Sequence, residues 1–260
     1  MWRSRVIAVP LILLLAGAAT VQSVHTLHLR SYRGVEPICR VDTTRMVVAL
    51  SFDDGPDPGR TPAVLELLGA QGARATFFVL GERAALEPSL LGDIVASGNE
   101  LGNHTWSHPR LSELSEVAAL GEFRRTQTVL PLDGGPTLVR APFGEARADT
   151  FAGLWQAGMM PIHWSVAIDH FVGELGLEPR DAAATISGQI RAGDILLAHD
   201  AGVGPERDRA MQALRLLLPL LRARGFEVTT VGELLASGSA VRADPRPWLW
   251  QSGFTCPDPG

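Results

Sequence analysis

The sequence has no lysine, one tyrosine and two cysteines among its 260 residues. Its 23 basic residues are all arginines, they form no basic run, and 28 acidic residues give a net charge of -5. A nucleic-acid-binding surface needs a basic patch that displaces counterions from phosphates, so we expect no nucleic-acid partner. Internal repeats and low-complexity segments are also absent. The length favours one large globular domain, which we expect to be a monomer.

The few cysteines limit the chemistry further. The spacing of Cys39 and Cys256 does not match a zinc motif. The two residues flank the region that carries the candidate catalytic residues. In an oxidising compartment a disulfide between them would tie the two ends of the domain together. Two unpaired thiols are the alternative, and we predict the disulfide.

The N-terminal residues have the pattern of an export element. Arg3 and Arg5 precede an apolar stretch from Val6 to Ala19, and small side chains occupy positions 16–18. The stretch is short for a membrane span, which takes about 20 residues. We predict that residues 1–24 are either a cleaved signal peptide or a retained membrane anchor. The protein is then secreted, periplasmic or anchored to the outer face of the cytoplasmic membrane.

Beyond this element, short apolar segments alternate with helical patterns, which is typical of a parallel sheet covered by helices. The predicted strands are Met46–Phe52, Ala75–Leu80, Glu100–Asn103, Thr137–Arg140, Met160–Trp164, Asp194–Ala198 and Phe226–Val231. Clear helical patterns cover Thr61–Leu68, Ser115–Val129 and Pro205–Arg224. We predict an α/β fold, a distorted (β/α) barrel of about seven strands.

This barrel domain is predicted to cover residues 46–236, after a lead-in segment at residues 25–45. Residues 237–260 form a tail in which repeated Pro and Gly break any regular element. Its large side chains are Trp248 and Trp250. We expect the tail to pack across the barrel, with an aromatic platform for a sugar ring as the alternative.

Two adjacent carboxylates, Asp53 and Asp54, follow the first predicted strand. The next residues, Gly55 and Pro56, are ordinary turn residues. Taken alone, the carboxylate pair is best interpreted as part of a solvated loop.

His104 and His108 lie four positions apart, directly before Pro109. On a helical turn this spacing brings both imidazoles to one face, and the proline stops the turn. Two His and one Asp can bind a divalent metal and leave positions open for water and substrate. Core or surface histidines are the alternative, but the chain has only seven histidines, and this pair follows a predicted strand downstream of the Asp pair, which favours a metal site.

Arg140 and His199 each end another predicted strand. An Arg that points into a cleft can hold a carboxylate ionised through a bidentate pair, and a His at the barrel mouth can donate a proton. A surface cation and a strand-capping histidine are the alternatives. Like the Asp pair and the His pair, both residues fall at the C-terminal ends of predicted strands, which share the active-site face in a (β/α) barrel.

With these motifs, the stretch from Met46 to Leu235 resembles the polysaccharide deacetylase family, also called the NodB-homology domain or carbohydrate esterase family 4. The resemblance implies one role for each motif residue: Asp53 as general base, Asp54, His104 and His108 as metal ligands, Arg140 as the partner of Asp53, and His199 as general acid. We also expect substrate contacts from Pro142, Phe143, Trp164 and Leu197.

One motif departs from the family pattern. A segment that usually begins Trp-Ser-Val-Asp and ends in Asp-Trp runs here from Trp164 to Phe171. Aligned without a gap, His170 takes the position of the Asp that orients the catalytic His. With one deletion, Asp169 takes it. Both assignments stay open, and Asp169 is included among the catalytic candidates.

The resemblance implies a metal-dependent hydrolase that removes N-acetyl or related acyl groups from a sugar or polysaccharide, such as peptidoglycan or a chitin-type glycan. We expect Zn²⁺ as the metal, with Co²⁺ or Ni²⁺ as alternatives, and an acetylated amino-sugar glycan as the partner. Three other functions stay open. They are a deformylase or deacylase of a lipid-linked sugar, which a membrane anchor would suit, a non-catalytic glycan-binding domain, and a two-His-one-carboxylate iron oxygenase.

Overall fold

A computed structural model of the protein describes residues 34–131, 137–243 and 256–257. The strands in these residues are β1 (Ile38–Asp42), β2 (Val47–Asp53), β3 (Thr76–Val79), β4 (Glu100–Asn103), β5 (Thr137–Val139), β6 (Met159–Pro161), β7 (Val166–Ala167), β8 (Ile195–His199), β9 (Glu227–Thr229) and β10 (Ser239–Arg242). The helices are α1 (Thr61–Gln71), α2 (Gly81–Leu86), α3 (Pro88–Ala96), α4 (Glu116–Gln127), α5 (Ala148–Gln156), α6 (Ile168–Val172), α7 (Pro179–Gln189), α8 (Pro205–Ala223) and α9 (Val231–Leu235). Short 3₁₀ turns cover Leu111–Glu113 and Pro142–Gly144.

Eight of these strands form one sheet with parallel pairing. Its order is β6-β5-β4-β3-β2-β8-β7, and β9 pairs with the first half of β2. Apolar residues of α1, α3, α7 and α8 pack against the outer face of the sheet. The sheet curves into a half-barrel surrounded by helices, which confirms the predicted fold class.

The central strand β2 shows how the two faces of the sheet differ. All seven of its residues are buried, as expected for a parallel strand that is covered on both faces. Val48, Leu50 and Phe52 pack with the outer helices, whereas Val47 and Ala49 belong to a separate cluster inside the barrel. Because side chains alternate along a strand, the odd-numbered positions of β2 point into the barrel.

All seven predicted strands and the three predicted helices are present, with some ends shifted. Four strands are shorter than predicted: Thr76–Val79 replaces Ala75–Leu80, Thr137–Val139 replaces Thr137–Arg140, Met159–Pro161 replaces Met160–Trp164, and Glu227–Thr229 replaces Phe226–Val231. The last of these ends early because Thr230 caps α9, where its hydroxyl accepts a hydrogen bond of 3.2 Å from the backbone N–H of Glu233.

Three strands, β1, β7 and β10, lie outside the predicted set. β1 and β10 pair with each other in antiparallel orientation, so the segment predicted to be a tail without regular elements begins with a strand. The two strands come from opposite ends of the domain. A pairing between such distant segments leaves no local sequence pattern from which either strand could be predicted. β7 has only two residues, which is too short for a periodic signal.

A disulfide joins Cys39 of β1 to Cys256, with the two Cα atoms 5.7 Å apart. The predicted pairing is therefore confirmed, and it ties the C-terminal tail to the buried strand β1. Trp248, Trp250 and residues 1–24 lie outside the described residues. In the described ranges no helix is long and apolar enough to cross a bilayer.

Candidate functional site

The candidate residues gather at one rim of the barrel because each follows a strand of the parallel sheet. Asp53 is the last residue of β2 and His199 is the last residue of β8. His104 follows β4, Arg140 follows β5, and Asp169 lies in α6 directly after β7. Since C-terminal ends of parallel strands share one side of the barrel, these side chains face one common volume.

Asp54, His104 and His108 bring three potential ligand atoms within 4.8 Å of one another. Asp54 Oδ1 lies 3.6 Å from His104 Nε2 and 3.3 Å from His108 Nε2. Two imidazole nitrogens and one carboxylate oxygen form a donor set that suits Zn²⁺ and similar divalent ions, with positions left for water and substrate. The residues therefore fit a catalytic metal.

His104 is held in the orientation that a ligand needs. It is buried, and its Nδ1 lies 2.9 Å from the carbonyl oxygen of Arg140. Because a carbonyl can only accept a hydrogen bond, Nδ1 carries the proton and Nε2 presents its lone pair toward Asp54. Burial lowers the pKa of His104, against the opposing effect of the Asp53 and Asp54 charges. A neutral imidazole is the form that binds a metal.

The segment between the two histidines is a loop, so the predicted helical turn is wrong. Thr105 and His108 have positive φ values of 73° and 59°, which a right-handed helix excludes. The buried side chain of Asn103 fixes the loop start, since its Oδ1 accepts the Thr105 N–H at 3.0 Å and its Nδ2 donates to the Phe123 carbonyl at 2.8 Å. The two imidazoles therefore converge through loop geometry.

Glu122 of α4 stabilises the same loop and was not among the predicted site residues. Its Oε2 accepts hydrogen bonds from Trp106 N at 3.1 Å, Ser107 N at 2.9 Å and Ser107 Oγ at 3.1 Å. A carboxylate in the middle of an amphipathic helix has the pattern of a solvated residue. Only the approach of α4 to the loop reveals these contacts, which hold the two residues directly before His108.

We expect Glu122→Ala to weaken metal binding by about 10–100-fold, the range for loss of a residue that orients a metal ligand. In this variant, the two backbone N–H groups and the Ser107 hydroxyl lose their shared acceptor. The left-handed backbone conformation at His108 is then held less firmly. Glu122→Gln, which retains one acceptor oxygen, should lose less. Calorimetric titration of the metal-free protein with Co²⁺ measures the effect, with exposed Glu113→Gln as the control. Equal affinity in Glu122→Ala and the control would contradict this role.

Ser51 and Asp53 occupy odd positions of β2, so both point into the barrel toward Arg140. The Arg140 side chain is fully buried, and its NH1 donates to Asp53 Oδ1 at 2.7 Å and to Ser51 Oγ at 2.8 Å. The predicted bidentate pair is wrong, because Nε and NH2 donate to the carbonyls of Ile162 and His163. Burial lowers the pKa of Arg140, and the charge of Asp53 opposes that shift.

His199 has Asp169 as its partner, which decides between the two assignments that the sequence leaves open. His199 Nδ1 lies 2.8 Å from Asp169 Oδ2, whereas His170 pairs with Glu174 at 3.0 Å. Burial disfavours the charged form of His199, but the hydrogen bond and charge of Asp169, with the charge of Asp53, outweigh it. The pKa of His199 is therefore raised above its ordinary value.

Asp169→Asn should move the basic limb of the pH profile of kcat/KM to lower pH and reduce kcat. The raised pKa of His199 keeps the imidazolium present to higher pH, and loss of the Asp169 charge lowers that pKa again. His170→Ala should leave the profile in place, because His170 contacts Glu174, two residues beyond the end of α6, and not His199. The two profiles, measured with saturating metal, test this assignment. A larger shift in His170→Ala than in Asp169→Asn would reverse it.

Asp200, the residue after His199, packs against the turn that follows Asp54. It is fully buried, and Thr61 Oγ1 donates to its Oδ2 at 2.5 Å. Burial raises the pKa of Asp200 to about 7. Gly55 packs so closely that a Cβ at this position would collide with the Asp200 carboxylate. The glycine after the carboxylate pair is therefore required by a close approach as well as by the turn.

The four residues predicted to contact substrate differ in how much of each side chain is exposed. Phe143 is 49% exposed, its ring lies 4.7 Å from that of His108, and Arg110 stacks over it at 4.2 Å. Trp164 is partly buried, with its ring 5.6 Å from the Arg140 guanidinium. Pro142 and Leu197 are buried. Phe143 thus has the largest surface available at the rim.

A cavity of about 570 Å³ opens beside the Asp169 end of the site. Its walls are formed by residues of α6, the turn after it, the loop before α8 and the first turn of α8, and they include Asp169, Glu174, Glu206 and Arg207. The cavity is large enough for a sugar unit and lies next to the partner of His199.

Comparison with known proteins places these residues in a family. The polysaccharide deacetylase profile matches residues 40–162. The chain is 37% identical over 216 residues to a chitooligosaccharide deacetylase of Bradyrhizobium sp. (strain ANU 289), covering 75% of this chain and 92% of that protein. It is 33% identical over 212 residues to a peptidoglycan-N-acetylglucosamine deacetylase of Bacillus cereus, covering 75% and 91%.

The solved structure of peptidoglycan deacetylase PdaC from Bacillus subtilis has the same fold. It is similar with a TM-score of 0.64 and 33% sequence identity, over 76% of this chain and 93% of that chain. The profile match includes the Asp pair, the His pair and Arg140. The chain therefore belongs to the polysaccharide deacetylase family of metal-dependent hydrolases.

Proposed function

We propose that this deacetylase removes N-acetyl groups from an amino-sugar glycan outside the cytoplasm, with peptidoglycan and chitooligosaccharides as the candidate substrates. The observation that carries the proposal is that three kinds of functional group lie together at one rim of the barrel. A three-residue metal site lies beside a buried carboxylate, Asp53, and an imidazole with a raised pKa, His199. Together these three kinds of group could polarise an amide carbonyl, activate water and protonate the leaving nitrogen. The export pattern of residues 1–24 supports a glycan substrate.

We propose Zn²⁺ as the ion held by Asp54, His104 and His108, with Co²⁺ and Ni²⁺ as ions that the same donors would accept. A divalent ion held by these residues would polarise the amide carbonyl and lower the pKa of bound water. The remaining chemistry belongs to residues of the chain.

Asp53 is proposed as the general base. Its Oδ1 is fixed by Arg140, and its Oδ2 lies 3.7 Å from His104 Nε2, on the side of the metal site. The Arg140 contact keeps the carboxylate ionised and in one orientation. Asp53 can therefore accept the proton of the attacking water as the C–O bond to the acetyl carbon forms.

His199 is proposed as the general acid. The departing sugar nitrogen is a poor leaving group unless it gains a proton as the C–N bond breaks. Since Asp169 holds Nδ1, the Nε2–H of the imidazolium is the proton that faces the site. The raised pKa keeps this form present near neutral pH. The products are acetate and the free amine of the sugar.

A substrate panel tests the proposal. The metal-loaded protein should release acetate from N-acetylglucosamine oligomers, from peptidoglycan, or from both, faster than from acetylated xylan. Loading the metal-free protein with Zn²⁺, Co²⁺ and Ni²⁺ in parallel identifies the ions that support turnover. Acetate release from acetylated xylan alone would instead assign an ester substrate. Release of formate alone from a lipid-linked formylated sugar would assign a deformylase.

A further inference from the structure

Arg207 lies in the first turn of α8, the helix that follows β8 and the loop after His199. Its guanidinium reaches two carboxylates from different parts of the rim. NH1 donates to Asp169 Oδ1 at 2.7 Å, and NH2 lies 3.6 Å from Asp54 Oδ2. The Arg207 side chain is 27% exposed. One cation therefore contacts both the proposed metal ligand and the partner of the proposed acid.

In each of the two carboxylates, one oxygen faces Arg207 and the other faces histidine: one imidazole at Asp169 and two at Asp54. In Asp169, Oδ2 faces His199 and Oδ1 faces Arg207. In Asp54, Oδ1 faces His104 and His108, and Oδ2 faces Arg207. In both carboxylates, the guanidinium therefore contacts the oxygen that does not face a histidine.

We propose that Arg207 is a positioning residue that joins the two halves of the site and holds Asp54 so that a single carboxylate oxygen faces the metal. This inference rests on the proposed metal site and goes beyond the roles of the motif residues. A guanidinium suits the task because its planar fork can contact two acceptors in fixed directions, which an ammonium cannot.

Charge supports the same conclusion. Asp54 and Asp169 are like charges on adjacent parts of one rim, and both have side chains only 22% exposed. Without a cation between them, repulsion would favour rotation of the Asp54 carboxylate. A rotated Asp54 would offer its oxygens differently to the metal, and Asp169 would lose the contact that fixes its plane.

The test measures metal affinity separately from turnover. Calorimetric titration of metal-free Arg207→Gln with Co²⁺ should show binding weaker by about 10-fold or more, together with a lower kcat. Arg207→Lys, which keeps the charge and loses the fork, should fall between Arg207→Gln and the unmodified protein. Asp169→Asn should lower kcat and leave Co²⁺ affinity unchanged. Arg215→Ala, an exposed change on the same helix, is the control and should match the unmodified protein.

Wild-type Co²⁺ affinity in Arg207→Gln would overturn the inference. Loss of affinity with a normal thermal unfolding temperature supports it. If Arg207→Gln unfolds at a lower temperature than the unmodified protein, Arg207→Lys is measured in its place. Unchanged Co²⁺ affinity and unchanged kcat in Arg207→Lys would then contradict the positioning role of Arg207. Because the affinity measurement uses no substrate, failure of the proposed deacetylation and failure of this inference give different results.

Discussion

Removal of the divalent metal is expected to abolish acetate release, and addition of one equivalent of Zn²⁺ per chain to restore it. The amide carbonyl is a poor electrophile and water a weak nucleophile, and the ion improves both. Asp54, His104 and His108 are the proposed donors, with potential ligand atoms that lie within 4.8 Å of one another. The measurement is acetate release after dialysis against a chelator and after graded return of the metal.

Variants at the ligands should reproduce the effect of the chelator. His108→Ala should lose high-affinity metal binding and activity together, because Asp54 and His104 then leave only two donors. His170→Ala is the matched control, since this exposed imidazole pairs with Glu174 away from the cluster. Full turnover after complete removal of metal, or full metal affinity in His108→Ala, would contradict the assignment of the site.

Asp53→Asn is expected to lower kcat by about 10²–10⁴-fold, the contribution of a general base. The amide keeps the shape of the side chain and can still accept the hydrogen bond from Arg140. It cannot take a proton from water. Because Asp53 is proposed to act beside the metal and not as a ligand, Co²⁺ affinity should stay close to that of the unmodified protein.

The combination of a large loss in kcat and a small change in metal affinity separates a base from a ligand. Asp93→Asn, a change of an exposed carboxylate on α3, serves as the control for the loss of one negative charge. If Asp53→Asn retains more than a tenth of the turnover, another group takes the proton. If it loses the metal as completely as His108→Ala does, Asp53 is a ligand.

Much of the site could be predicted because it follows strand ends. β2 is a continuous buried run that ends at Asp53, and β8 is one that ends at His199. Such runs are recognisable without any knowledge of tertiary contacts. Once the parallel barrel is predicted, the residues after each strand must meet on one face. The positions of the Asp pair, the His pair and Arg140 follow from this.

The positioning residues could not be predicted because their roles depend on packing between distant elements. Glu122 lies in the middle of a helix and Arg207 in the first turn of another. Neither belongs to a motif, and their partners are far away in the sequence. The position of Arg207 after β8 places it on the active-site side of the barrel, but only the structure shows which carboxylates it contacts.

Local geometry explains the remaining errors. The spacing of His104 and His108 fits a helical turn, but positive φ values at Thr105 and His108 produce a loop. The choice between Asp169 and His170 depends on where α6 begins after the two-residue strand β7. An offset of one residue rotates a helical side chain by about 100°, and no sequence pattern resolves such an offset.

Simultaneous counting of acetate and primary amine tests the central claim most directly. The metal-loaded protein is incubated with an N-acetylglucosamine oligomer, and both products are measured over time. N-deacetylation predicts one new primary amine for each acetate released, with neither product formed after metal removal and both formed about 10²–10⁴-fold more slowly in Asp53→Asn. Acetate without an equal amount of amine, or no acetate from any acetylated amino-sugar glycan, would contradict the account.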